Sequence, residues 1–569
     1  MSGAPPQPHL RGSSQVTTAT PSAPSQREVN PWVVLIVLCS GFFMIMLDST
    51  IVNVALPAML DGLDGSLDQI LWVINAYLLA YATLLITGGR LGDIFGPRNL
   101  FITGLSVFVL ASIACGVSQN TTQMIIARVV QGLAGALLTP QTLTIITAVF
   151  PKERRGAAMG VWSALIGMSA IAGPIIGGVL VDGVNWRWIF FVNVPIGAVG
   201  LWGAFRFVPD LRPGRSHRLD LPGVLLVSAS LSLIVYGLIE GERYDWGECW
   251  GPITIWEIIG AGVVLLIAFV VYERRPSEPL LPLALIRNRN FAVLNWLQAL
   301  IAFGLMALYL PVVLFLQSVL DMSAIRAGLT MAPWAVATMF TAPFAGRLAD
   351  KYGAKWVLML GLALFSLGVG LMIAAVDLDA GFLSFLLPGF VAGGGLGLSM
   401  APLTAEALRE VPPVQVGAAS GMLNAVRQVG SVIGTAVVGA VLQAQLSSSF
   451  ASQARDRVAG VDAPAEVKTQ LIDAFSEASD SGLQVAPGQN GGVALPDGVA
   501  PDTASTLEQV AHDVFVNGFT DAVKPTLAVP VVVLAVAALS CLAIARRRAA
   551  AEVTPAPAAA PDKAPAAAD

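Results

Sequence analysis

The feature that most limits how this chain can fold is a succession of about fourteen apolar runs, each about twenty residues long and so able to cross ~30 Å of hydrocarbon. They begin near Trp32, Gln69, Arg98, Thr121, Gly156, Arg187, Pro222, Thr254, Asn290, Ser323, Lys355, Gly381, Val416 and Pro525. Of the 569 residues, 12% are charged and 55% hydrophobic, where a soluble domain carries roughly 25% charge. The chain is therefore read as an all-α integral membrane protein.

Loop charge sets the expected orientation, because Lys and Arg concentrate on the cytoplasmic side. Alternate connections carry Arg90 and Arg98; Lys152, Arg154 and Arg155; Arg206, Arg212, Arg215 and Arg218. The series continues with Arg274, Arg275, Arg287 and Arg289, then Arg347, Lys351 and Lys355, then Arg409, then Arg546, Arg547 and Arg548. The opposite loops are poor in bases and hold Asp61, Asp64 and Asp68 in one, Asp377 and Asp379 in another. Both termini are thus expected in the cytoplasm, and the Ala/Gly/Val richness with Arg over Lys points to a bacterial plasma membrane.

Residues 1–30 and 549–569 read as disordered tails, and the first lacks the pattern of a cleavable signal. Residues 444–524 form one long acidic outer loop, in which Glu466–Glu477 has helical apolar spacing through Val467, Leu471, Ile472 and Phe475. A partly helical cap on the membrane rim and an unstructured loop are equal readings of it. Four scattered cysteines (Cys39, Cys115, Cys249, Cys541) make no disulfide framework, and none of the three histidines lies in an apolar run. No metal, cofactor or nucleic-acid partner is expected.

An internal repeat organises the runs. Gly89-Arg90-Leu91-Gly92-Asp93-Ile94-Phe95-Gly96-Pro97-Arg98 recurs as Gly346-Arg347-Leu348-Ala349-Asp350-Lys351-Tyr352-Gly353-Ala354-Lys355. The crossings between the copies are even in number, as a parallel repeat requires, but two more than a six-helix unit supplies. The division is therefore a six-helix bundle over 31–208, an inserted helix pair with basic linkers over 209–289, and a second bundle over 290–548. The runs 222–240 and 254–273 are the inserted pair and should pack at the edge.

Asp48 sits inside the first run with no Lys or Arg within a helical turn. A charge at that depth costs at least ~2.5 kcal/mol on insertion scales, which makes a functional role the first hypothesis. Arg128 lies at similar depth in the fourth run, and Gln131, Gly132 and Gly135 share its face. Its guanidinium keeps its charge and must find a carboxylate, carbonyls or water. Two readings stand. Either Asp48 takes and releases a proton while Arg128 tunes it, or the two are a structural pair that sets helix register. Asn424, Arg427, Gln428 and Ser431 form a polar stripe read as cavity wall, to which Asn53 and Gln131 are added.

Gly167, Gly173, Pro174, Gly177 and Gly178 put small residues and a kink where helices approach closely. This suits a rocking interface between halves, or generic packing. Asp93 and Asp350 are expected to meet Arg90, Arg98, Arg347 and Lys351, or a helix N-terminus. Anchoring by the positive-inside rule explains those bases as well.

These motifs resemble the major facilitator superfamily, and more narrowly its fourteen-span drug:proton antiporter family. The Gly89–Arg98 loop resembles the superfamily's cytoplasmic signature. Ala127-Arg128-Val129-Val130-Gln131-Gly132 resembles the fourth-helix motif linked to energy coupling, and Gly173-Pro174-Ile175-Ile176-Gly177-Gly178 the fifth-helix motif of exporters. Leu47-Asp48-Ser49-Thr50 through Pro57, Trp186–Phe190 with Asn193-Val194-Pro195, and Asn424–Gly430 fit the fourteen-span group. The likeness covers about residues 32–445 and the last span.

The resemblance implies a major facilitator fold of two six-helix bundles plus two inserted helices, working as a monomer by alternating access. It also implies proton-driven export of small lipophilic compounds, with Asp48 and Arg128 coupling the proton. Gly89, Arg90, Asp93, Gly96, Arg98, Arg347 and Asp350 would form a cytoplasmic latch. A dedicated exporter of one endogenous metabolite, such as an antibiotic or siderophore, is the alternative. No paired acids, histidine cluster or interfacial nucleophile points to an enzyme. Asp48→Asn is expected to fold, because Asn keeps the shape and removes a charge that lipid disfavours.

Overall fold

A computed structural model describes residues 30–63, 67–151, 154–211, 220–241, 243–244, 246–275, 280, 283–409, 411–412, 415–459 and 501–545. Apolar sequence in these residues folds as helix. The first bundle comprises α1 (Pro31–Leu63), α2 (Leu67–Phe95), α3 (Pro97–Val117), α4 (Thr121–Val149), α5 (Arg155–Gly183), the single-turn α6 (Trp188–Phe191) and α7 (Asn193–Phe207). Helices α8 (Leu221–Glu240) and α9 (Ile255–Tyr272) follow, joined by a small hairpin of β1 (Glu248–Trp250) and β2 (Ile253–Thr254). After the short α10 (Leu283–Arg287) come α11 (Arg289–Leu314), α12 (Ala324–Tyr352), α13 (Ala354–Ala375), α14 (Phe382–Ala407), α15 (Val416–Ala459) and α16 (Pro501–Ser540).

Among the described residues, fourteen helices have fifteen residues or more, and twelve spans are long and apolar enough to cross a membrane. The remaining two long helices, α5 and α12, pack on each other across the centre of the molecule. A helix that faces protein rather than lipid needs less apolar surface.

The two bundles repeat one packing pattern. Helix α1 lies on α5 and α7 as α11 lies on α15 and α16, and α4 holds α2 and α3 as α14 holds α12 and α13. The repeated loops share a backbone device: Gly96 and Gly353 precede α3 and α13 with φ of 89° and 91°. That left-handed conformation strains any residue with a Cβ, which is why both loop copies end on glycine there. The halves join along α2–α15 and α5–α12.

The inserted pair sits on the outside of one of these seams. On α8, the Ser232 hydroxyl lies 2.8 Å from that of Thr83 on α2, and Val235 packs with Ala82 of α2 and Val432 of α15. Helix α9 docks on α8, where the Ser230 hydroxyl donates to the Gly262 carbonyl at 2.9 Å, and it exposes Trp256, Val264 and Ile267.

Two loop expectations are corrected. Asp61 and Asp68 belong to α1 and α2 rather than to an open loop, since the helices run on to Leu63 and start again at Leu67. Within the outer loop expected over 444–524, the described residues 444–459 and 501–524 are helix. At ~1.5 Å per residue, the 44-residue α15 greatly exceeds the ~30 Å of the hydrocarbon core. Its outer end pairs with the start of α16 in a projecting hairpin. Buried Leu446, Phe450 and Ala454 meet Leu507, Ala511, Val514, Phe515 and Phe519, and the rings of Phe450 and Phe515 stack at 5.8 Å. Arg457 pairs with Asp513 at 2.9 Å. Apolar residues at i, i+4 and i+8 make a helical stripe that the serines and charges between them conceal from a span search. The helix expected over Glu466–Glu477 lies outside the described residues.

Candidate functional site

Near the middle of α1, Asp48 is completely buried, and so is Arg128 of α4. Asn120 caps α4 by accepting from the Gln123 backbone at 2.9 Å, and Arg128 follows about two turns later. One guanidinium nitrogen, Arg128 Nη1, donates to Asp48 Oδ2 at 2.5 Å. Asp48 Oδ1 accepts from Gln131 Nε2 at 3.0 Å and from Asn193 Nδ2 at 3.0 Å. The carboxylate thus has three donors from α4 and α7.

Arg128 is held by more than the carboxylate. Its Nε donates to the Val73 carbonyl of α2 at 3.0 Å, and Nη1 also reaches Gln131 Oε1 at 2.8 Å. The guanidinium lies 4.2 Å from the centre of the Tyr77 ring, a cation–π contact strengthened by the dry surroundings. Asn193 is oriented in turn by Ser112, 3.0 Å away on α3. Five helices of the first half therefore converge on one buried ion pair: α1, α2, α3, α4 and α7.

Some of these residues escaped the sequence reading. Asn193 stands inside an apolar run just where α6 breaks and α7 begins, so its polarity at that depth was the available signal. Tyr77 and Ser112 carry none, because an isolated Tyr or Ser in a span is commonplace. Gln131, assigned to the cavity wall, is hydrogen-bonded to Asp48, Arg128 and the Cys115 thiol. The carboxylate is the counter-ion of a fully buried guanidinium, which keeps the Val73 carbonyl, Gln131 Oε1 and the Tyr77 ring as partners when Asp48 alone is neutralised.

The expected latch lies at the end of the molecule that carries the basic loops. Asp93 Oδ1 and Oδ2 accept from the backbone N–H groups of Gly417 and Ala418, each at 3.2 Å. These are free donors of the first turn of α15, where the helix dipole also favours an anion. Of the two partners foreseen for Asp93, the helix N-terminus is the one hydrogen-bonded. Gly89 lies beside it, and a Cβ there would collide with the Gly417 carbonyl. The second copy mirrors the first: a Cβ on Gly346 would collide with the Gly156 carbonyl, and Asp350 lies against Gly156 in the first turn of α5. Arg90 is buried, Arg347 is exposed, and Arg98 donates to the Phe205 carbonyl at 2.8 Å.

Of the two readings of the fifth-helix glycines, packing within one half is the one that Gly173 and Gly177 fit. Gly173 and Gly177 press on Thr50, Ile51 and Val54 of α1, within the same half. It is Gly156 and Gly160, earlier in α5, that meet α12 across the interface. A glycine run alone does not reveal which neighbour it serves. Gly178 is buried, and the surroundings of Gly167, Pro174 and Asn53 lie outside what is described. On α15, Asn424 is buried and donates to the Ser420 carbonyl at 2.9 Å. Arg427 donates to Asn424 Oδ1 at 3.4 Å, and Gln428 is half-buried.

Comparison with known proteins agrees with this architecture. The family model described as the Major Facilitator Superfamily matches residues 38–435. An uncharacterized MFS-type transporter of Mycobacterium tuberculosis is 40% identical over 74% of this chain and 72% of its own. The tetracenomycin C resistance and export protein of Streptomyces glaucescens is 33% identical over 89% of this chain and 91% of its own. The multidrug resistance protein Stp of M. tuberculosis is 34% identical over 72% of this chain and 75% of its own. Among solved structures, a human organic anion transporter superposes with a TM-score of 0.55 at 12% identity, covering 89% of this chain and 99% of its own. At that identity it speaks for the fold alone.

Proposed function

The chain belongs to the Major Facilitator Superfamily of transporters, and from that premise we propose that it is a secondary exporter that exchanges protons for small lipophilic compounds. The observation that carries the reading is the way Arg128 is held. When a proton neutralises Asp48, the guanidinium keeps the Val73 carbonyl, Gln131 Oε1 and the Tyr77 ring. The carboxylate can therefore change charge without stranding its partner, which a purely structural ion pair has no need to do. One proton moving inward supplies ~2.3 kcal/mol per 100 mV, enough for a substrate gradient of roughly fifty-fold at 1.4 kcal/mol per tenfold.

The basic end is the cytoplasmic one in this reading, with both termini there and the chain acting as a monomer in a bacterial plasma membrane. The contacts of Gly89 with Gly417 and of Gly346 with Gly156 then close the cytoplasmic side. Protonation of Asp48 from outside and substrate release to the outside belong to this conformation. Rocking the halves apart at the latch opens the cavity inward. The printed names of the relatives, resistance and export proteins among them, support efflux as the direction. Export of a single endogenous metabolite is the second reading. It is favoured by the relative named for tetracenomycin C, matched over 91% of its length.

The test is substrate-driven proton release from proteoliposomes. Asp48→Asn should abolish it, and so should the double variant Asp48→Asn with Arg128→Gln, which leaves no unpaired charge. Undiminished coupling in a folded double variant would show that the proton travels elsewhere.

A further inference from the structure

Arg427 is a charge deep inside a span with no carboxylate beside it among the described residues. Val416 begins α15, and eleven residues at ~1.5 Å each put Arg427 roughly 16 Å along the helix, about half-way through a ~30 Å core. Its one hydrogen bond is to the neutral Asn424, its Nε is buried without a partner, and no described carboxylate is within ion-pair distance. Asp48 does not serve it, since that carboxylate is paired with Arg128 and held by Gln131 and Asn193.

The direction of Arg427 follows from its neighbours on α15. Ser420, two turns earlier on the same face, donates to the Pro140 carbonyl of α4 at 3.2 Å. Gly430 and Gly434 press on Ala299 and Phe303 of α11. Arg427 lies between those two directions and so projects into the space framed by α4 of one half and α11 of the other. Tyr77 of α2 brings its hydroxyl, buried without a hydrogen-bond partner, beside Gly135 of the same α4. The ring of the same tyrosine lies against Arg128.

We propose that Arg427, together with the Tyr77 hydroxyl, is the recognition site for a carboxylate, and that the transported compounds are lipophilic organic acids. The proposal rests on the exporter reading above and names its substrate class. A half-buried planar guanidinium with unused donors matches a carboxylate in shape and charge. A ligand bound there touches both halves and reaches Arg128 through the ring of Tyr77. Charge balance points the same way. Exchanging an organic monoanion outward for one proton inward moves two charges with a negative-inside potential, whereas exchanging a monocation moves none. A carrier with one deep acid therefore gains most from acidic cargo.

The experiment uses full-length purified protein and two fluorescent probes on one scaffold, dansylglycine and its amide. Wild-type protein should bind the acid at least tenfold more tightly than the amide. In Arg427→Gln that ratio should fall to near one, Arg427→Lys should restore part of it, and Tyr77→Phe should lower it several-fold. A structural role for Arg427 would alter both affinities and leave their ratio. Equal binding of both probes by the wild type, or an unchanged ratio in a folded Arg427→Gln, overturns the proposal. In proteoliposomes, export of dansylglycine should quicken under a valinomycin-imposed negative-inside potential. Acid-selective binding without proton-driven transport would instead count against the exporter reading and leave the site standing.

Discussion

Replacing Asp93 by Asn isolates the contact that holds the two halves together. The carboxylate uses both oxygens, one on each of the Gly417 and Ala418 N–H groups at 3.2 Å. Asn offers one oxygen and turns an NH2 toward the other donor. A buried N–H left unsatisfied costs ~1–3 kcal/mol, and removing the anion from a helix N-terminus costs a further ~0.3–1 kcal/mol. Taking about 2 kcal/mol, the joined state weakens roughly thirty-fold against the separated one.

Ser420, buried beside this contact, reports the separation once Ser420→Cys places a thiol there. Cys39, Cys115 and Cys541 are buried, so Cys249→Ser removes the one half-exposed native thiol. A membrane-impermeant maleimide added at the basic face should label the Asp93→Asn protein tens of times faster than its parent. Asp350 is exposed, so Asp350→Asn should raise labelling by less than about threefold. A rate in Asp93→Asn within a factor of two of the parent would refute the assignment of Asp93 as the clasp.

Other outcomes follow from the same packing. Gly346→Val should favour separation of the halves, because its side chain would enter the space of the Gly156 backbone; overpacking of this kind costs ~1–3 kcal/mol, and the same thiol assay reads it. Arg128→Ala should cost ~3–5 kcal/mol by breaking a buried pair, seen as lost monodispersity and a lower melting temperature in detergent. Arg128→Lys should fold and bind but couple poorly, since a lysine cannot serve Asp48, Gln131 and the Val73 carbonyl at once. In the projecting hairpin, Phe450→Ala should cost ~3–5 kcal/mol and expose the hairpin to protease. Asp513→Ala, at a surface ion pair, should cost at most ~1 kcal/mol and leave cleavage unchanged.

The sequence by itself determined the membrane class, the long helices and the parallel repeat. Each follows from local quantities: the length of an apolar run, the charge of a loop, the recurrence of a glycine at a left-handed turn. Asp48 and Arg128 were legible as a pair for a similar reason, since two charges in hydrocarbon have few partners to choose from. What the tertiary structure decided is which groups complete the site and which surfaces meet. Asn193, Tyr77 and Ser112 come from separate helices, and nothing within any one helix marks the face that will turn toward Asp48. The glycines of α5 divide between α1 and α12 because helix crossing, not composition, selects the neighbour. The outer ends of α15 and α16 are helical because each buries the other's apolar stripe, and that stabilisation exists only after the two have met.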